Sequence, residues 1–350
     1  MTNSENPVGL DGVRFVEFSG SLDFFDPLFQ RLGFTSIATN KELGLTLYRQ
    51  GDIDFLVNTA RDSYAHRFFQ LHGPSLSGMG FRVADQERAF AVVAQRGIQQ
   101  MPEGYRYLPF PKLSGIGESC VYLVDDGSCE EWYQKIFGVT LKNPQVSGAG
   151  FIKVDHFTNN VPRGQMDQWC QFYQRVFNFK ETRYFHIRGK KTGLESRVMR
   201  SPCGQFSIPI NEPTEEKSQI QEFLDEYKGS GVQHLALLTN DIIRTMDMMK
   251  KNAVPFLAPP PATYYRALKQ RVPLCTEDIR TLETYGLLVD GDEHGYLLQI
   301  FTKNLIGPIF FEMIQRKNHL GFGEGNFQAL FDSIEQDQFE RGYLTREEYV

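Results

Sequence analysis

At 350 residues the chain is longer than a single ordinary core grows before it splits, so two domains are expected. With 41% hydrophobic and 23% charged residues both cores can form without disulfides or structural zinc, and five cysteines lacking any Cys-x-x-Cys spacing read as reduced thiols. A net charge of -6, with no basic run longer than Arg188-Gly189-Lys190-Lys191, excludes nucleic acid as a partner; no segment approaches the roughly 18 apolar residues of a membrane span, and polar Met1 to Asp11 offers no leader, so a cytosolic location is expected.

In chain order, Val13 to Phe18 alternates with a period of two and predicts a strand. Leu28 to Phe34 carries apolar residues at helical spacing and passes through Gly33, the end of a helix entering a strand. Gly80 to Val83 predicts a strand, running into a helix over Glu87 to Arg96 stopped by Gly97. Trp132 to Val139 repeats the helix end through Gly138, again with a strand expected next. The breaker-rich stretch Lys142 to Gly150 marks the boundary between a first domain, residues 1–145, and a second, residues 146–350.

Beyond it the patterns recur. Phe151 to Phe157 is a strand, Phe172 to Phe179 a helix closing on Asn178, Gly231 to Leu237 a strand, and Asp241 to Asn252 a helix. The prolines between Leu257 and Ala262 read as a rigid polyproline loop, not a boundary, because the repeat is still incomplete there. A strand-helix-strands unit is thus used four times, two per domain. The fold class is α+β, each domain a pair of βαβββ units that form an open barrel-like sheet with outer helices and a ligand-sized cup. Phe327, Leu330, Phe331 and Ile334 fall at i, i+3, i+4 and i+7, an amphipathic C-terminal helix whose apolar face could cover the cup.

Of seven histidines, His156 and His234 stand out, since each lies mid-strand at the start of a repeat unit in the second half. Glu312 sits in Ile309-Phe310-Phe311-Glu312-Met313-Ile314, where a buried carboxylate needs a cation: a metal, or Arg316 or Lys317 in a salt bridge. Two imidazoles and one carboxylate leave coordination positions open, the facial set of non-haem Fe(II) oxygenases rather than a closed structural zinc site. Gly321 to Gly325 lacks the Lys-Ser/Thr of a phosphate loop and reads as a flexible lead-in to the last helix.

Val154-Asp155-His156-Phe157-Thr158-Asn159-Asn160-Val161, Gly231-Val232-Gln233-His234-Leu235-Ala236-Leu237, Gly295 to Lys303, Phe311 to Arg316 and Gly321 to Phe327 resemble the metal-site segments of the 4-hydroxyphenylpyruvate dioxygenases, a family of the vicinal-oxygen-chelate fold. The resemblance covers at least residues 150 to 345 in register. It implies that His156, His234 and Glu312 are the catalytic metal ligands and hold one Fe(II) per subunit. Phe301 and Phe322 would stack the substrate's phenol, unless they are ordinary core aromatics. Ser196, Asn211 and Gln219 would line the pocket, Gln233 and Gln299 would orient the bound molecule, and Asn326 and Phe327 complete the substrate-binding set. The N-terminal half, with Glu17 and Gly78 to Phe81 at the comparable places, would carry no metal.

The implied reaction joins 4-hydroxyphenylpyruvate and O2 to give homogentisate and CO2, as in tyrosine degradation, in a dimer or tetramer of identical chains. Rival readings are 4-hydroxymandelate synthesis on the same fold, sequestration of an aromatic compound without catalysis, and extradiol ring cleavage.

Overall fold

The alternation around Phe15 becomes strand β1 (Leu10–Ser19), one of fifteen strands and eleven α-helices formed by the described residues, 4–188 and 192–343, of a computed structural model. Gly189, Lys190 and Lys191 of the basic run lie outside the described residues. After β1 come helix α1 (Leu22–Arg31), strands β2 (Thr35–Asn40), β3 (Leu45–Gln50) and β4 (Ile53–Asn58), then α2 (Tyr64–His72), β5 (Ser75–Val83), α3 (Gln86–Ala94), β6 (Lys112–Ser114), β7 (Cys120–Val124) and α4 (Asp126–Phe137). The strands hydrogen-bond in the order β2-β3-β4-β1-β5-β7-β6.

The second half repeats this plan with β8 (Phe151–Asn160), α5 (Met166–Phe177), β9 (Lys180–Arg188), β10 (Gly193–Arg200), β11 (Ser207–Pro213), α6 (Gln219–Tyr227), β12 (Gly231–Thr239) and α7 (Ile242–Lys251). Three short helices follow, α8 (Ala262–Arg266), α9 (Leu268–Arg271) and α10 (Ile279–Tyr285), then β13 (Leu288–Gly291), β14 (Tyr296–Phe301), β15 (Phe310–Lys317) and α11 (Glu324–Glu340). Read from its far edge, this sheet runs β9-β10-β11-β8-β12-β15-β14-β13, the first sheet's order with one strand added. In both sheets the two central strands pair antiparallel, β1 with β5 and β8 with β12, and each is flanked by a parallel neighbour.

Local chemistry explains the punctuation. Helix α5 buries Met166, Cys170, Tyr173 and Phe177 along one face and stops where Asn178 turns left-handed, its N–H returning to the Gln174 carbonyl. The equivalent helices α3 and α7 both start on an aspartate, Asp85 and Asp241, whose carboxylates accept from the Arg88 and Arg244 amides.

One expectation fails. Helix α4 does end on a left-handed Gly138, but no strand follows before β8. Residues 139–150 instead pass the end of β3, where Arg49 takes the Thr140 and Asn143 carbonyls at 2.9 and 3.2 Å and Gly51 donates to Val146. Those carbonyls are satisfied by a guanidinium, so the segment needs no strand ladder. The C-terminal helix forms as expected and turns Phe327, Phe331 and Ile334 toward the second sheet's cavity, while the Leu330 side chain lies outside the described residues.

Candidate metal centre and active site

Strands β8, β12 and β15 are neighbours at the centre of the second sheet, and their register decides the site. Ala236 pairs with His156 on one side and with Glu312 on the other, and His234 precedes Ala236 by two residues, so all four side chains share one face. Alanine in the middle leaves room for three longer groups to converge. His156 Nε2 lies 3.1 Å from Glu312 Oε2, His234 Nε2 lies 3.4 Å from the same oxygen, and the two nitrogens are 3.3 Å apart. All three residues are buried.

The tautomers follow from what stands behind each ring. Asp155 Oδ1 faces His156 Nδ1 at 2.8 Å, and Gln233 Oε1 faces His234 Nδ1 at 3.1 Å. A carboxylate and an amide oxygen only accept, so each Nδ1 carries the hydrogen and each neutral ring turns its Nε2 lone pair inward. Three acceptors therefore meet at 3.1–3.4 Å with no donor among them, an arrangement that calls for a cation. Two donors at right angles around an ion with ~2.1 Å bonds stand ~3.0 Å apart, so the donor set fits a first-row divalent metal held on one face.

The electrostatics of the bare protein say the same. Burial works against a charged imidazole at His156, but Glu312 and Asp155 hold its pKa up at about 9. Burial takes His234 down, while for Glu312 the two imidazoles outweigh burial and keep the carboxyl below its ordinary value. A proton on His156 thus occupies the role the metal would take. Glu312 does not pair with Arg316 or Lys317, which bond Asp155 and Glu277 instead.

Asp155 and Gln233 reach the rings they precede in sequence only because of backbone irregularities. The ladder passes from Ala236–His156 to Leu237–Val154, leaving Asp155 as an extra residue, and from Val232–Asn159 to His234–Thr158, leaving Gln233 as another. Each bulge re-aims a side chain that regular alternation would send to the opposite face.

Above the triad lies a cavity between the sheet and α11. Ser196, Asn211, Gln219, Gln233, Gln299, Phe301, Phe322 and Phe327 line it together with the three candidate ligands. Phe322 packs edge-on to His156 at 5.3 Å and Phe301 edge-on to His234 at 6.2 Å, one ring beside each imidazole. Asn211 donates to Asn160, and Gln299 donates to Glu312 Oε1 at 3.3 Å.

Comparison with known proteins places this geometry. Residues 4–138 match the family described as hydroxyphenylpyruvate dioxygenase, N-terminal, and residues 153–300 match the glyoxalase/bleomycin resistance protein/dioxygenase superfamily. The chain is 44% identical to 4-hydroxyphenylpyruvate dioxygenase of Legionella pneumophila, strain Corby, over 97% of its own length and 98% of that protein. The chain belongs to the 4-hydroxyphenylpyruvate dioxygenase family. It is also 45% identical to protein MelA of Shewanella colwelliana, covering 98% of this chain and 100% of that one. Among solved structures, a fusion of a xylose isomerase-like TIM barrel with 4-hydroxyphenylpyruvate dioxygenase superposes with a TM-score of 0.80 at 30% identity; the match takes in 94% of this chain and 52% of the fusion.

One member of the expected substrate-binding set stands apart from the cavity wall in this dioxygenase-family chain. Asn326 is buried, its amide donating to Gln299 Oε1 at 3.0 Å while its own oxygen accepts from Tyr264 at 2.6 Å. Its short side chain, on the first turn of α11, bridges Tyr264 and Gln299 and is not among the residues that line the cavity. Gly323 makes the approach possible: its φ is +80°, and a Cβ there would sit 1.8 Å from Gln299 Oε1. Sequence reading missed Thr158, Pro209 and Phe310 on the wall, and Asp155 and Arg316 behind it. The last two carried a signal, since an acid inside a buried strand and a base four residues after a buried Glu both need partners.

Proposed function

We propose that this protein is an Fe(II)-dependent 4-hydroxyphenylpyruvate dioxygenase that converts 4-hydroxyphenylpyruvate and O2 to homogentisate and CO2. The observation that carries the reading is the convergence of three lone-pair donors, His156, His234 and Glu312, beneath an aromatic cavity in a chain of this family. Fe(II) held there would supply the redox chemistry and open positions for the substrate's 2-oxo acid and for O2. In this reading residues 146–350 are the catalytic half and residues 1–145 carry no metal.

The remaining work falls to the polypeptide. Asp155 and Gln233 hold both imidazoles in the tautomer that presents Nε2. Phe301 and Phe322 would flank the phenol ring, while Ser196, Asn211, Gln219, Gln233 and Gln299 offer the polar contacts that fix its orientation. Phe327, Phe331 and Ile334 of α11 form the apolar cover that keeps water from the reacting atoms. That helix is latched at both ends: Gly325 donates to Asp290 at its start, and Gln338 and Arg341 each reach Glu222 at 2.7 Å near its end.

The test is product identity. Protein reconstituted with Fe(II) without oxygen, then given O2 and 4-hydroxyphenylpyruvate, is expected to consume O2 and release homogentisate. 4-Hydroxymandelate as the main product would replace this reading with the benzylic one, and ligand binding without O2 uptake would replace it with a binding protein.

A further inference from the structure

We propose that Arg316 is a positioning residue that ties the metal ligand His156 to the aromatic wall at Phe322, so that one guanidinium sets both sides of the site. The inference rests on the metal-centre reading above. Arg316 forks onto Asp155, Nε to Oδ2 at 2.8 Å and Nη2 to Oδ1 at 2.7 Å, and Asp155 Oδ1 also accepts from His156 Nδ1. From its other nitrogen Arg316 donates to the His319 and Gly321 carbonyls at 3.2 and 2.6 Å. Its guanidinium carbon stands 5.3 Å over the Phe322 ring. The chain of contacts is therefore His156–Asp155–Arg316–loop 319–321–Phe322, each link direct.

A purely stabilising salt bridge explains this poorly. Asp155 and Arg316 side chains are only 9% and 15% exposed, and a pair so desolvated returns little net stability compared with apolar residues of the same size. The backbone is also distorted to make it, since Asp155 reaches His156 only as the extra residue of a bulge. In the first sheet the strand position before Glu17 is Val16, which pairs in regular register with Met79. The β1–β5 pair has irregularities of its own, between Val13 and Phe15 and between Glu17 and Phe18, but none at Val16, the place that corresponds to Asp155. Lysine could supply the charge but not the fork, the two carbonyl contacts and the flat ring contact at once.

The signature of such a link is crossed effects, read with Co(II) and without turnover. Arg316→Lys touches no metal ligand, yet is expected to weaken Co(II) affinity by ~10–100-fold in chelator competition. Asp155→Asn touches neither loop nor ring, yet is expected to speed amide exchange at residues 319–323 in the Co(II)-loaded protein. The double variant should lose no more Co(II) affinity than the worse single one, because the arginine acts through the aspartate. Wild-type Co(II) affinity in R316K, wild-type exchange in D155N, or additive losses would each overturn the proposal. If R316K shows no cooperative thermal transition, D155N alone decides through the same exchange measurement. Failure of the functional reading is separate, since it would show as absence of homogentisate from the wild-type protein while both crossed effects remain measurable.

Discussion

The two halves share a sheet order but solve the same burial problem in opposite ways. Glu17 on β1, Gly78 on β5 and Tyr122 on β7 occupy the strands that carry His156, His234 and Glu312 in the second sheet. Glu17 is buried, but its two oxygens accept from Asn58 at 2.8 Å and from the Tyr122 hydroxyl at 3.1 Å. A Cβ on Gly78 would lie 2.9 Å from Glu17 Oε2 and 3.0 Å from the Tyr122 ring, so that place has no room for an imidazole. The first cup gives both oxygens of one acid a donor, whereas in the second Gln299 reaches only Glu312 Oε1 and no side-chain donor stands between Oε2 and the two Nε2 atoms. Burial of ionisable groups is common to both. What distinguishes a metal centre is the missing donor.

The strongest way to break this comparison is to count metal. Glu312→Ala and His234→Ala each remove one donor and are expected to abolish turnover, by at least ~10³-fold, and to lower iron below one per chain while circular dichroism stays that of the folded protein. Glu17→Gln should keep full iron content. Wild-type activity in either C-terminal variant would remove that residue from the ligand set, and loss of iron on changing Glu17 would make the first half a metal site too.

Much of this contrast was legible before any coordinates. The helix ends at Gly33, Gly138 and Asn178 and the alternation around Phe15 and Val154 are local signals, each a property of a few neighbouring residues, and they sufficed for the fourfold unit. The pairing of His156 with His234 was also visible, because both sit mid-strand at equivalent starts. The link through Asp155 and Arg316 was not, because it depends on a one-residue bulge, and a bulge leaves no mark in a period-of-two pattern. Asn326 shows the limit of motif matching: the motif fixes its place in the chain, but whether its amide faces substrate or Gln299 depends on a contact from Tyr264, 62 residues away. The segment after Gly138 misled for a similar reason, since only a distant guanidinium, Arg49, explains why no strand forms.

The next largest effect concerns pH. Burial raises the Glu17 carboxyl from 4.5 to about 7, against the hydrogen bonds from Asn58 and Tyr122. Below pH ~4.5 folded and unfolded chains both hold this proton and the group is neutral in its effect. As pH rises from there toward 7 the unfolded chain ionises first, so the wild type loses stability, and above 7 the penalty levels off at up to ~3 kcal/mol. Glu17→Gln cannot ionise, so its stability advantage should be near zero at pH 4.5 and greatest above 7. Urea unfolding of both proteins at pH 5 and pH 8 measures this; an equal difference at the two pH values would mean that Glu17 is already charged in the fold.

Phe322→Ala comes next and probes a feature confined to the second half, the loop and helix laid across its cup. Removing a ring that packs against His156 and lines the cavity should raise KM by ~10–100-fold with iron content unchanged, the loss of about 1.4–2.8 kcal/mol of substrate contact. Unchanged kinetics would place the phenol elsewhere.

The smallest effect tests what the halves have in common. Asp85 caps α3 and Asp241 caps α7, each through one carboxylate accepting a backbone N–H at 2.9 and 3.0 Å, and both helices follow the central strand that pairs with the first of its sheet. Alanine at either position should cost ~1 kcal/mol of unfolding free energy, the usual value of such a cap, and the two losses should agree within the error of a denaturation curve. Neither variant should lose iron, because neither cap touches the triad. A cap worth much more in one half than in the other would mean that the duplicated sheets are unequal in their scaffolding as well as in their donors. Equal losses would locate the difference between the halves in the few side chains that face each cup.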